Sequence, residues 1–250
     1  YGLKQAPRAW YDKLYGALLS LGFVGSKSDH SLFVKKEPHI VFILVYVDDI
    51  LVTGPSSSAC KSVICQLSAL FPIKDLGSLH YFLGLEVKRS SKGIFVSQTK
   101  YILDLLHKAK MDGAKPCVTP LSTSKFDHSS PLLADPTEYR SLVGALQYLT
   151  WTRPDLSFAV NLVCQFMHCP RLSHLQAVKR ILRYLKGSID CGLWFSKSVS
   201  TPSITAYSDA DWAGWSIDRK STGGFCVFLG HSLISWSAKT QSTVARSSTA

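Results

Sequence analysis

The chain has 250 residues, enough for one large domain or two small ones with ample core. Its 28 Lys and Arg against 17 Asp and Glu leave a net charge of +11, which favours a polyanionic partner such as nucleic acid. An anionic membrane surface would suit that charge equally, but no stretch is amphipathic and basic enough to bind one, and no apolar run approaches a spanning length. There is no signal-peptide pattern and no Met at position 1, so the chain reads as a piece of something longer. Seven cysteines, an odd number at irregular spacing, argue for a reducing intracellular compartment rather than a disulfide framework.

Pro7 sits where a first helical residue would, and Trp10, Leu14, Ala17, Leu18 and Leu21 recur at helical spacing until Gly22. Gln5 precedes this helix as a polar loop residue able to cap it, with Lys4 and Arg8 as a basic turn beside it. Two apolar runs follow, Ile40–Val45 and Ile50–Val52, flanking Tyr46-Val47-Asp48-Asp49 and closed by Gly54-Pro55. β-branched and aromatic residues at this density, bounded by turn formers, predict two buried strands in a tight hairpin. Two adjacent carboxylates at its tip stand out. If buried they need a partner, because an unpaired buried carboxylate costs several kcal/mol. Mg²⁺ suits them, since it takes one or two carboxylates plus substrate phosphates. An Asp-Asp turn facing water is the alternative, and these residues alone leave the two level.

Ser56-Ser57-Ser58 then offers a cap for a helix carrying Val63, Ile64, Leu67, Leu70 and Phe71. Leu79–Lys88 and Ile94–Ser97 read as strands joined through Ser90-Ser91-Lys92-Gly93, and Tyr101 to Ala109 as another helix. From Met111 to Pro136 the composition turns to that of a linker, with Pro116, Pro120, Pro131 and Pro136 among many Ser and Thr. Helices are predicted over 137–148, 154–167 and 173–186. In the last, Leu175, Val178, Leu182 and Leu185 form one face while Lys179, Arg183 and Lys186 line another. Such a stripe tracks a nucleic-acid backbone or is simply the solvated face. Cys164, His168, Cys169 and His174 cluster in sequence, but their spacing fits none of the usual zinc patterns, and core thiols are the better reading. From Gly192 the pattern is β again: 193–195, 204–208, 225–229 and 233–236. Asp209 falls at the end of the second run, with Asp211 two residues on. That arrangement is common at metal sites of phosphoryl-transfer enzymes, and also in ordinary turns. An aspartyl-nucleophile phosphatase would share it, but nothing nearby supports one.

Tyr46-Val47-Asp48-Asp49 resembles the catalytic hairpin of reverse transcriptases, and the opening Tyr1 to Tyr11 resembles the segment preceding it in copia-type LTR retrotransposons. The resemblance continues through Tyr81-Phe82-Leu83-Gly84-Leu85-Glu86, Ser173-His174-Leu175 and Arg183-Tyr184-Leu185-Lys186-Gly187. It reaches Tyr207 to Gly214 and Ser221-Thr222-Gly223-Gly224, covering essentially the whole chain in the family's order. The fold it implies is an α+β reverse transcriptase palm, a β-hairpin catalytic core with packed helices. A helical connection and a truncated α/β ribonuclease H-like domain would follow. The implied boundaries are 1–111 for the polymerase part, 112–136 for a linker, 137–190 for the connection and 191–250 for the start of ribonuclease H.

By the same resemblance Asp48 holds metal, Asp49 ligates or supports it, Tyr46 packs against the primer end and Gln5 lies near the incoming nucleotide. Asp209 matches the first metal-binding carboxylate of ribonuclease H, and Asp211 matches no assignable catalytic position. Lys179, Arg183 and Lys186 would follow the nucleic-acid backbone. The implied chemistry is two-metal phosphoryl transfer with Mg²⁺, or Mn²⁺ in its place. The implied partners are an RNA template, a DNA primer, an RNA–DNA hybrid, deoxynucleoside triphosphates and the rest of a Pol polyprotein. No membrane is involved, and the setting is the cytoplasm or a virus-like particle. Members of this family carry a further catalytic Asp before the segment matching Tyr1. They also carry a ribonuclease H Glu just beyond the segment matching Arg246-Ser247-Ser248-Thr249-Ala250. A chain without them would be a non-catalytic nucleic-acid-binding module or a decayed relic of the same ancestor. The expectation is that the isolated chain does not polymerise. Template-dependent extension by the purified chain, abolished by Asp48→Ala, would contradict it.

Overall fold

The computed structural model describes residues 5–122, 126–127, 129–197, 201–211 and 219–244. Lys4, the Trp212-Ala213-Gly214 end of one motif and the closing Arg246–Ala250 lie outside the described residues. The chain divides into two compact units, Tyr1–Leu79 and His80–Ala250. No described helix is long and apolar enough to cross a membrane.

In the first unit, helix α1 (Ala6–Ser20) begins with a proline in its first turn, where the missing N–H costs nothing. Strands β1 (Val24–Gly25), β2 (Leu32–Lys35), β3 (Val41–Tyr46) and β4 (Asp49–Thr53) follow as an antiparallel sheet in chain order. Helix α2 (Ser57–Leu70) is capped by Ser56, whose Oγ accepts the Ala59 N–H at 3.2 Å. Leu14 and Leu18 of α1, Phe33 and Ile43 of the sheet, and Val63 and Leu67 of α2 form one buried core. Both helices therefore cover the same sheet face. At the foot of the β3–β4 hairpin a Cβ on Gly54 would stand 2.6 Å from the Ile40 carbonyl oxygen, so only glycine lets the two backbones approach. The short strands β1 and β2 are absent from the sequence reading, because four residues or fewer carry too little periodicity to register.

In the second unit, β5 (Tyr81–Phe82) and β6 (Leu85–Ser90) replace the single strand expected over 79–88. The break is a two-residue turn in which Leu83 (φ 49°) and Gly84 (φ 75°) both adopt left-handed geometry, the pattern of a type I′ hairpin. Strand β7 (Gly93–Ser97) and helices α3 (Thr99–Lys108) and α4 (Thr137–Leu149) follow. The helix expected over 154–167 is a 3₁₀ turn, Pro154–Leu156, running into α5 (Ser157–Cys164), and α6 (Leu172–Lys186) comes next. Strand β8 (Leu193–Ser196) does not join the later strands. It adds to β7, giving the order β5-β6-β7-β8, and Gly192 makes this possible because a Cβ there would clash with the Val96 carbonyl. Strands β9 (Ile204–Ala210), β10 (Thr222–Leu229) and β11 (Ser232–Thr240) form a separate antiparallel sheet in the order β11-β10-β9. Strand β9 lies at its edge, exposed along its whole length.

The helices of this unit share one core, in which Ile102, Leu146, Val163 and Ile181 represent α3, α4, α5 and α6. The stretch 112–136, linker-like in composition, is tied to α6 instead of running free. Cys117 donates its N–H to the Arg183 carbonyl at 3.3 Å, and Leu172 donates to the Pro131 carbonyl at 2.9 Å. Proline and serine content reads as a linker, yet the same residues leave carbonyls available for a neighbouring helix to hold. Arg153 is the most fully buried charge, 1% exposed. Its guanidinium donates to both Asp155 carboxylate oxygens, at 3.0 and 2.7 Å, and to the Ser188 carbonyl at 2.8 Å. Burial pushes the Asp155 carboxyl up, and the Arg153 and Tyr184 hydrogen bonds outweigh it, leaving the group below the usual carboxylate range.

Arg153→Ala should destabilise the second unit by about 1–3 kcal/mol, because it removes the buried donor that satisfies Asp155 and the Ser188 carbonyl, and urea titration measures this. Asp155 contributes stability above its unfolded value near 4 and loses it as pH falls through its lower folded value. Asp155→Asn should therefore flatten the loss of stability seen below pH 4. For the first unit, Gly54→Ala should cost about 1–3 kcal/mol, read as a lower denaturant midpoint.

Candidate functional site

In β3 the side chains of Val41, Ile43 and Val45 point into the core while Phe42 and Tyr46 face outward. This alternation fixes the register of β4, with Val45 opposite Ile50 and Tyr46 opposite Asp49, and leaves Val47-Asp48 as a two-residue turn. Val47 has φ 54°. A turn with positive φ at its first central residue alone follows the type II′ pattern, which favours glycine there. A β-branched residue in that position is an outlier, carrying strain on the order of 1–3 kcal/mol that the surroundings must hold.

The turn projects into solvent: Tyr46 is 51% and Val47 65% exposed, and Asp48 and Asp49 are exposed as well. The carboxylates therefore retain their hydration, and the desolvation argument for an obligatory partner does not apply to them. Neither has an ion-pair partner among the described residues, and both hard oxygen groups are exposed where a cation could reach them. Among the described residues, one side chain from elsewhere hydrogen-bonds to the turn. Trp10, on α1, donates its indole N–H to the Val47 carbonyl at 3.3 Å. Its ring packs edge-on against Phe71 at 5.2 Å. Sequence periodicity marks Trp10 only as an apolar helix position, and no pattern in the chain announces this bond.

Gln5 is exposed at the N-cap of α1 and makes no side-chain capping bond, so its amide is not engaged in holding the helix start. Arg8 and Asp12 approach at 4.0 Å on the solvated side of the same helix, a contact worth little. Asp209, in the second unit, is exposed opposite Gly224, and its Oδ1 accepts the Ala210 N–H at 2.9 Å. Asp211 has a visible structural role: its carboxylate accepts the Thr222 N–H while its own N–H donates to the Thr222 carbonyl, closing the end of the β9–β10 ladder. Among the described residues no three His, Cys, Asp or Glu side chains gather into a metal-binding group.

The basic stripe of α6 divides. Lys179 is exposed, whereas Arg183 donates to the Lys115 carbonyl at 2.7 Å and Lys186 to the Asp112 carbonyl. Two of the three cations therefore hold the 112–117 segment. The Cys164–His174 cluster does not converge on a metal. Cys164 is half-buried, and burial raises its thiol; Cys169 is exposed. His174 is buried, stacks on Phe166 at 3.7 Å, and accepts the Arg171 N–H at Nδ1. None of the seven cysteines is disulfide-bonded.

Residues 1–123 match the family model described as reverse transcriptase (RNA-dependent DNA polymerase). The whole chain is 55% identical, over 252 residues, to the retrovirus-related Pol polyprotein from transposon RE1 of Arabidopsis thaliana, and covers 17% of it. It is 37% identical over 244 residues to a transposon Ty5-1 protein of Saccharomyces cerevisiae, matching 96% of this chain and 79% of that one. An uncharacterised mitochondrial protein of Arabidopsis thaliana is 51% identical over 210 residues, 84% of this chain and 87% of that one. The chain thus spans about one sixth of the Pol polyprotein it matches. No solved structure matches it. A hairpin presenting Tyr46 to Asp49, inside a stretch matched by the polymerase family and continuous with Pol relatives end to end, places the chain in the copia-type retrotransposon Pol polyproteins, as a reverse transcriptase-like segment.

Proposed function

We propose that this chain supplies the catalytic hairpin of an RNA-directed DNA polymerase and the beginning of an attached ribonuclease H. The observation that carries the reading is the turn that exposes Asp48 and Asp49, consecutive residues, to solvent, on a hairpin whose other face is buried under two helices. Carboxylate oxygens on a rigid two-strand support are the donor type a hard cation requires. Asp48 would be the primary ligand and Asp49 a second ligand or its support, with Mn²⁺ able to replace Mg²⁺. When bound, the ion neutralises phosphate charge and sets the attacking and leaving oxygens in line.

The chain's own groups do the rest. The outward side chain of Tyr46, directly opposite Asp49, offers an aromatic surface to a primer end. Gln5, with an unengaged amide at the start of α1, is suited to the incoming nucleotide. Lys179 is the cation of the α6 stripe left for a backbone phosphate, beside an RNA template, a DNA primer or their hybrid. Asp209 would serve the ribonuclease, whose part would take in residues 191–250. The segments 1–111, 112–136 and 137–190 would be polymerase, strap and helical connection.

In a Pol polyprotein carrying this segment, Asp48→Asn and Asp49→Asn should each lower primer extension by about a hundredfold or more with hybrid affinity nearly unchanged. Asp209→Asn should lower cleavage of the hybrid's RNA strand and leave extension intact. Extension indifferent to Asp48→Asn would overturn the reading. Salt-dependent hybrid binding indifferent to Mg²⁺ and to all three substitutions would instead mark a non-catalytic binding module.

A further inference from the structure

The turn between β3 and β4 raises a question that the carboxylates do not answer: what holds Val47 in a conformation its side chain disfavours? Its own surroundings do little, since Val47 is 65% exposed and its neighbours Tyr46, Asp48 and Asp49 are exposed too. Reversing the sign of its φ would rotate the adjoining peptides and re-aim both carboxylates. One bond from outside the hairpin opposes that change among the described residues, the indole N–H of Trp10 on the Val47 carbonyl. The donor is itself well fixed. Trp10 stands edge-on to Phe71 at an interplanar angle of 81°, and Leu14 and Leu18 bury the same helix in the core. The next residue, Tyr11, donates its hydroxyl to the His30 carbonyl at 2.9 Å, tying the helix to the loop before β2.

We infer that Trp10 is a positioning residue for the carboxylate-bearing turn, its indole N–H holding Val47 in the left-handed conformation from which Asp48 and Asp49 project. The inference rests on reading that pair as a cation site. It also gives α1 two duties, because Gln5 stands at the start of the helix that carries Trp10. The helix that would meet the incoming nucleotide is then mechanically joined to the turn that would meet the metal.

The test is Mn²⁺ binding by the full chain, followed by electron paramagnetic resonance titration, so no turnover is needed. Trp10→Phe keeps an apolar ring against Phe71 and removes the donor. It should weaken Mn²⁺ binding about threefold to tenfold, the worth of one hydrogen bond. Val47→Gly, which reaches positive φ without help, should bind as the unmodified chain does. It should also restore Trp10→Phe to within about twofold in the double variant, which a merely structural role for Trp10 would not permit. Binding unaffected by Trp10→Phe, or not restored in the double variant, overturns the inference while the cation reading stands, provided Asp48→Asn abolishes binding. Binding indifferent to Asp48→Asn removes both. Should Trp10→Phe fail to fold, indole N–H exchange in the unmodified chain decides: protection supports the bond, and exchange at the free rate overturns it.

Discussion

The tip of the β3–β4 hairpin depends on the burial of Val41, Ile43 and Val45 beneath α1 and α2. A strand has a side-chain period of two, so a slip of one residue would turn these three to solvent and Phe42, Leu44 and Tyr46 inward. Hydrophobic burial thus acts at a distance from the chemistry. By holding the register it decides that Tyr46 faces outward and that the turn falls at Val47-Asp48. No interaction at the carboxylates themselves is needed to place them. This separation lets them stay hydrated and available, while the free energy that orders them is gained in the core.

The same separation explains which parts of the chain could be read from its sequence. The hairpin was legible because dense β-branched and aromatic runs and flanking turn formers are local signals, and so was the Ser56 cap of α2. The turn inside 79–88 was not, since Leu83 adopts positive φ without the Asn or Asp that usually marks it. The partner of β8 was equally hidden, because pairing with β7 is a contact across almost a hundred residues that no window contains. At the candidate site, Asp48 and Asp49 were legible as residue types, and their exposure was not. Burial is a property of everything around a turn. The bond from Trp10 to Val47 belongs to the same category, a side chain read as packing that turns out also to donate.

The second unit shows how a charge stripe can mislead. Arg183 and Lys186 share a helix face with Lys179, yet they end on backbone carbonyls of the preceding segment. A cation near a run that lacks regular structure has two competing outlets, water and unpaired carbonyls, and helical spacing cannot tell them apart. The polar cluster of Arg153, Asp155, Ser188 and Tyr184 makes the complementary point. A charge that periodicity would leave at the surface, Arg153, is enclosed because Asp155 and Ser188 accept its donors, and Tyr184 in turn holds Asp155.

Strand β9 carries a consequence of another kind. It is an edge strand, exposed throughout, with Ile204 and Tyr207 among its outward residues. Proteins usually blunt such edges with lysine, proline or a bulge, and here the register against β10 runs unbroken from Ile204 to Ala210 without a basic residue in it. Among the described residues, that edge therefore offers a row of backbone donors and acceptors on which a further strand could pair.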